Sequence, residues 1–112
     1  MITFSIKREL NISSDKLWNL LSDFGYSLSP NISIKLETQG KPDSNGIGSL
    51  RIVTIGKRQF RERIEKIKPQ CNISYSLLSG APVNNYIGSI DIESISSNTL
   101  ITWNVQFKPK VL

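Results

Sequence analysis

The chain has 112 residues, a length that fits one domain, and its hydrophobic fraction of 38% is enough for one core. Basic residues outnumber acidic ones and give a formal charge of +5, which raises the question of an anionic partner. Histidine is absent and cysteine occurs once. This composition excludes His-based catalytic triads and internal disulfides, and it argues against a zinc site.

The N-terminal segment predicts a strand followed by a helix. Residues 2–10 alternate between apolar and polar side chains. Ser13 suits the N-cap of a helix, and Asp15 then lies in the first turn, where a negative charge is favourable. The spacing of the apolar residues predicts a helix over about 14–23. Its apolar face comprises Leu17, Trp18, Leu21 and Phe24.

The rest of the chain predicts six more strands separated by turns. Residues 39–48 are rich in Gly, Pro, Asp and Asn, which is turn chemistry. Residues 56–58 predict a tight turn, and 94–98 predict a longer one. The seven predicted strands are 2–10, 32–38, 49–55, 59–67, 71–79, 85–93 and 99–107.

The last three strands predict an antiparallel meander with one apolar, aromatic-rich face. A sheet of six or seven strands needs a cover for that face, and the predicted helix is too short to supply it alone. The apolar positions are Ile73, Tyr75 and Leu77 in the first strand, Tyr86, Gly88, Ile90 and Ile92 in the second, and Ile101, Trp103, Val105 and Phe107 in the third.

Several short motifs occur in the order and spacing of one known family. They are SDKLW at 14–18 with LSDF at 21–24, GIGSLR at 46–51, RERI at 61–64, GAPVNNY at 80–86 after Tyr75, and TW at 102–103 with FKP at 107–109. Together they resemble the START-like (SRPBCC) superfamily, and within it the polyketide cyclase/dehydrase-like branch. The resemblance spans roughly residues 2–109.

This resemblance implies an α+β helix-grip fold, in which a curved antiparallel sheet of six to seven strands closes around a long C-terminal helix. Members bind lipids, polyketides and other small apolar molecules in the cavity between them, and some are cyclases or dehydratases. The sequence ends at Leu112, where the helix is expected. We therefore expect a single START-like domain over residues 1–112 that is C-terminally incomplete, with a sheet face open to self-association.

Arg51 and Glu62 are the most informative polar residues. Each alternates with apolar neighbours on its strand, and the hairpin around Gly56 and Lys57 predicts that they meet on the pocket face. A charge on an apolar face is costly unless it is paired. The pair is expected to orient a polar group of a ligand, or to serve in acid–base catalysis. A purely structural ion pair remains the alternative.

Tyr75, Tyr86 and Trp103 combine apolar bodies with polar tips. They are candidates for lining the cavity and for hydrogen bonding to a ligand. Packing in the core is the alternative for each of them. The residue inventory leads us to expect neither a metal nor another cofactor.

Basic residues concentrate between 57 and 68, and alternation predicts that Arg61, Arg63 and Glu65 lie on the solvent face of a strand. RNA-binding sheets combine such charge with exposed aromatic side chains. The only aromatic residue in this stretch, Phe60, belongs to the opposite face, so no nucleic-acid partner is expected. The N-terminus does not resemble a secretory signal, and with the lone Cys71 this favours a cytoplasmic location.

Three functional hypotheses remain open from the sequence. The first is binding of a small, mainly hydrophobic ligand of lipid or polyketide type. The second is a cyclase or dehydratase that uses Glu62, Arg51 and the tyrosines, because no histidine is available as a general base. The third is an incomplete domain without a ligand.

Overall fold

The computed structural model describes residues 1–22 and 31–110. These residues form seven strands and one helix. In chain order they are β1 (Ile2–Leu10), α1 (Ser14–Ser22), β2 (Ile32–Thr38), β3 (Leu50–Ile55), β4 (Arg58–Lys68), β5 (Asn72–Ser79), β6 (Val83–Ile95) and β7 (Asn98–Pro109).

All seven strands belong to one antiparallel sheet in the order β1-β7-β6-β5-β4-β3-β2. The predicted meander is confirmed, since β5, β6 and β7 are neighbours both in sequence and in space. β1 returns to pair with β7, so β1 and β2 form opposite edges of the sheet. This is the predicted α+β architecture, a curved sheet with one short helix.

The strand register divides the sheet into two faces. Phe4, Val105, Gly88, Tyr75 and Ile64 stand opposite one another in a row across five strands. We call the face that carries this row the inner face. Because side chains two residues apart on a strand point to the same side, the inner face also receives the apolar positions that the alternation predicted.

The core lies on the inner face, at the end that α1 covers. Its fully buried centre is Ile64, Ile73 and Tyr75, and the helix packs Trp18 and Leu21 against it. Farther along the same face, no helix in the described part of the chain covers the sheet. The side chains of Phe4 and Trp103 there are 46% and 39% exposed.

The start of α1 follows the sequence prediction. The Lys16 amide donates to the Ser13 hydroxyl oxygen at 3.3 Å, which makes Ser13 the N-cap. Asp15 lies in the first turn and accepts a hydrogen bond from the Gln70 side chain at 2.9 Å. The predicted end of the helix at residue 23, and Phe24 on its apolar face, lie outside the described residues. Among those described, α1 is the only helix, and it is too short to cross a membrane.

Several predicted turns were too long. β6 and β7 are joined by Ser96 and Ser97 alone, whereas a turn over 94–98 was predicted. Ser96 has a φ of 53°, the left-handed conformation that two-residue hairpin turns require, so pairing continues to Ile95 and Asn98. β6 likewise begins at Val83, two residues before the predicted strand. Cys71, predicted as the first residue of a strand, instead lies exposed in the turn before β5.

Candidate functional site

A cleft of about 230 Å³ opens on the inner face, beyond the part that α1 covers. It is bounded by side chains from β3 to β7 and from the β5–β6 loop. Among the described residues that line it, Glu62 is the only charged one. The lining comprises Val53, Ile55, Phe60, Glu62, Tyr75, Leu77, Ala81, Tyr86 and Trp103.

Arg51 and Glu62 form an ion pair at the base of this cleft. They are direct partners in the β3–β4 hairpin, and Arg51 Nε lies 2.9 Å from Glu62 Oε1. Their side chains are only 13% and 14% exposed, so little water screens the pair. The predicted meeting of the two residues on one face is therefore confirmed. Arg51 does not line the cleft itself; its guanidinium lies 5.6 Å from the centroid of the Tyr75 ring.

Tyr75 forms the floor of the cleft and is 4% exposed. Its ring lies across Gly88, its direct partner in β6. A Cβ atom on residue 88 would collide with that ring, which is why glycine is required there. The indole Nε1 of Trp103 donates a hydrogen bond to the Tyr75 hydroxyl at 3.1 Å.

A β-bulge lies in β6 next to Tyr86, whose position on the inner face follows from its alternation with Gly88. Asn84 pairs with Lys108 and Ile87 with Gln106, so β6 carries one extra residue between these pairs. Asn85 has a φ of 53°, which an asparagine tolerates better than most residues. The Tyr86 ring stacks on that of Phe107 with a centroid distance of 6.0 Å and lies 6.3 Å from the Tyr75 ring.

The environment keeps both tyrosines protonated at neutral pH. Burial raises the pKa of Tyr75 far above its ordinary value, and the neighbouring Tyr86 hydroxyl and the Glu62 charge raise it further. Burial also raises the pKa of Tyr86, although the neighbouring Tyr75 hydroxyl opposes this shift. Neither phenol is suited to act as a base, but both can form hydrogen bonds.

The structure thus brings together all five residues proposed from the sequence. The cleft is lined by Glu62, Tyr75, Tyr86 and Trp103. Arg51 does not line it but pairs with Glu62. Their role in binding a ligand stays a prediction. Sequence reasoning missed the importance of Gly88, although a glycine in the middle of an apolar strand face can indicate that another group approaches closely.

The other surface depressions are weaker candidates for a functional site than this cleft. A larger one of about 460 Å³ lies on the outer face of β1, β7 and β6, where its polar lining consists of neutral side chains such as Ser5, Ser89 and Asn104. Arg61 and Arg63 of β4 are on the outer face, where Arg61 pairs with Glu37 at 2.8 Å and Arg63 with Glu65 at 2.7 Å. In the part of the chain that is described, no cluster of acidic or cysteine residues could hold a metal ion.

Comparisons with known proteins agree with this architecture. The sequence profile of the family described as "Polyketide cyclase / dehydrase and lipid transport" matches residues 1–112. No match was found among the curated protein sequences.

Solved structures with a similar fold cover nearly the whole chain. A START superfamily protein from Mycobacterium smegmatis superposes with a TM-score of 0.81 at 16% identity, over 97% of this chain and 78% of its own. The protein XoxI from Bacillus cereus has a TM-score of 0.77 at 25% identity, over 100% and 79%. Norcoclaurine synthase from Thalictrum flavum, a point mutant in complex with a transition-state analogue, has a TM-score of 0.75 at 18% identity, over 97% and 76%.

Proposed function

The chain belongs to the polyketide cyclase/dehydrase and lipid transport family, and from that premise we propose that it binds a small, mainly hydrophobic ligand of lipid or polyketide type. The binding site is the cleft on the inner face. The observation that carries this proposal is an aromatic and aliphatic lining around a single ion pair with little exposure to solvent. Binding pockets commonly combine apolar walls with a few oriented polar groups.

The parts of the cleft have distinct roles in this proposal. Phe60, Tyr86 and Trp103 bury the apolar body of the ligand, and the loss of water from these surfaces drives binding. Glu62 meets a polar group of the ligand. Arg51 neutralises Glu62 and fixes its orientation through the 2.9 Å contact.

A blocking substitution tests the location of the site. Ala81 lines the cleft from a loop, so Ala81→Trp should fill the cleft without disturbing the core. We expect the wild type to bind N-phenyl-1-naphthylamine, a neutral fluorescent probe, saturably and with a rise in its fluorescence, and the variant to lose this binding. Ser5→Trp, in the depression on the outer face, is the matched control and should bind like the wild type.

The opposite result would refute the location. If Ser5→Trp lost the probe and Ala81→Trp kept it, the ligand would bind the outer face. Circular dichroism of both variants shows whether each one is folded. A folded wild type that binds no apolar probe would favour an incomplete domain without a ligand.

An enzyme is the second candidate function, because the one carboxylate of the cleft lies among its apolar walls. A cyclase or dehydratase needs a group that accepts a proton, and the raised pKa values of Tyr75 and Tyr86 leave Glu62 as the candidate. Glu62→Gln should then bind an apolar probe normally but lose turnover. Failure of the wild type to convert any candidate polyketide would favour the binding protein.

The cellular location of this function is a separate proposal. The single cysteine, Cys71, is exposed and unpaired. A free exposed thiol fits a reducing compartment, so we propose that the ligand is bound in the cytoplasm.

A further inference from the structure

The polar groups of the cleft differ in how much hydrogen-bonding capacity remains for a ligand. The Trp103 indole has one N–H, and it donates this proton to the Tyr75 hydroxyl. Trp103 therefore has no donor left to offer. Tyr75 is 4% exposed, and its oxygen is occupied by Trp103. These two residues therefore shape the cleft, and they contribute little to hydrogen bonding with the ligand.

Glu62 retains an acceptor. Its Oε1 accepts from Arg51 Nε, and no other donor reaches the carboxylate among residues 1–22 and 31–110. Its Oε2 therefore keeps its lone pairs, in a residue that lines the cleft. An ionised carboxylate can only accept hydrogen bonds, so its complement is a donor.

Tyr86 retains a donor next to that acceptor. The Tyr75 hydroxyl accepts its hydrogen bond from Trp103, and no hydrogen bond joins the Tyr86 hydroxyl to a residue in the described part of the chain. The Tyr86 proton then stays available for a ligand. Glu62 and Tyr86 both line the cleft of about 230 Å³, so the acceptor and the donor face the same small space.

The charges of the site favour a neutral donor over a cation. Arg51 neutralises Glu62 at 2.9 Å, and the formal charge of the whole chain is +5. A cationic ligand would gain little from Glu62, because this carboxylate already has a cationic partner. An anionic head group, such as the carboxylate of a fatty acid, would meet Glu62 Oε2 directly and be repelled.

We propose that the ligand is a small aromatic alcohol or phenol, whose hydroxyl group donates to Glu62 Oε2 and accepts from the Tyr86 hydroxyl. This inference rests on the proposed function and specifies its ligand class. One hydroxyl oxygen serves both contacts, while the aromatic body lies against Phe60 and Trp103. The volume of about 230 Å³ is below the usual range for drug-sized ligands, which points to a molecule of about two rings.

The test compares 2-naphthol with 2-methoxynaphthalene by isothermal titration calorimetry. The two probes share one ring system, but the methyl ether cannot donate. We expect the wild type to bind 2-naphthol more tightly by about tenfold or more, the effect of one hydrogen bond to a charged group. Tyr86→Phe and Glu62→Gln should each reduce this preference.

Ser5→Ala is the control, because it removes a hydroxyl from the outer face of the sheet, away from the cleft. It should retain the preference for 2-naphthol. Equal binding of both probes by the wild type would overturn the hydroxyl proposal and leave the proposed function standing. Binding of neither probe by the folded protein would refute the proposed function itself.

A third probe tests the charge argument. The ammonium form of 2-(aminomethyl)naphthalene carries the same rings and a cationic donor. We expect it to bind more weakly than 2-naphthol, because Arg51 already neutralises Glu62. Tighter binding of the ammonium probe would overturn the assignment of a neutral alcohol.

Discussion

At the scale of single residues, the site depends on the absence of a side chain at Gly88. The Tyr75 ring fills the space above this glycine, and there it is in reach of Trp103 and beside Tyr86. The choice of residue at position 88 therefore controls the floor of the cleft, although Gly88 itself makes no polar contact with the proposed ligand.

We predict that Gly88→Ala lowers the free energy of unfolding by about 1–3 kcal/mol, the usual cost of overpacking. The added methyl group has to push the Tyr75 ring away, because the ring occupies that position. Urea unfolding measures the cost, and probe binding should weaken in parallel. Asn84→Ala, at an exposed position of the same strand, is the control. Unchanged stability and binding in Gly88→Ala would show that the ring moves freely.

At the scale of the elements, β-bulges decide which side chains reach the inner face. In β4, Ile64 pairs with Tyr75 and Lys66 with Ser74, so one extra residue separates these pairs. As a result Ile64 and Ile67 both pack into the core, although simple alternation puts residues three apart on opposite faces. The bulge in β6 lies next to Tyr86, which stays on the inner face with Gly88.

We predict that Asn85→Val destabilises the protein by about 1–2 kcal/mol, because a β-branched residue is strained at a φ of 53°. The substitution should also shift Tyr86 and weaken binding of 2-naphthol. Asn85→Gly keeps the bulge without strain and should bind like the wild type. Chemical denaturation and calorimetry of the two variants check this. Equal stability of the valine and glycine variants would argue against a conformational role for Asn85.

At the scale of the whole molecule, residues 1–22 and 31–110 form a sheet whose inner face they cover incompletely. β1 is an edge strand, and its inner-face residues Ile2, Phe4 and Ile6 are 40–46% exposed. Apolar edge strands favour pairing with another chain. The expectation that the sheet face is open to self-association stays a prediction, as does the expectation of a C-terminally incomplete domain.

We predict that the 112-residue chain associates with itself as its concentration rises, since association removes this apolar surface from water. Sedimentation velocity over a concentration series measures the effect. Phe4→Lys should shift the equilibrium towards the monomer without unfolding the protein, because the side chain is already half exposed. Ser5→Lys, on the opposite face of the same strand, is the control. A monomer at every concentration would contradict the prediction.

Contacts between the candidate site residues were predictable from the sequence where the two residues are close along the chain. Arg51 and Glu62 are joined by a short hairpin, so their alternation and the turn between them were enough to predict their contact. The hydrogen bond from Trp103 to Tyr75 was not predictable in the same way. It crosses from β7 to β5, and it depends on the glycine that lies between them in β6.

The sequence by itself determined the strand succession, the capped helix, the apolar face and the family resemblance. These features follow from side-chain periodicity, turn chemistry and motif order, which are properties of neighbouring residues. Only the tertiary structure decided the bulges, the exposure of β1 and the packing of Tyr75 over Gly88. Each of these depends on which residue of a distant strand stands opposite, and pairing across a sheet is set by the fold as a whole.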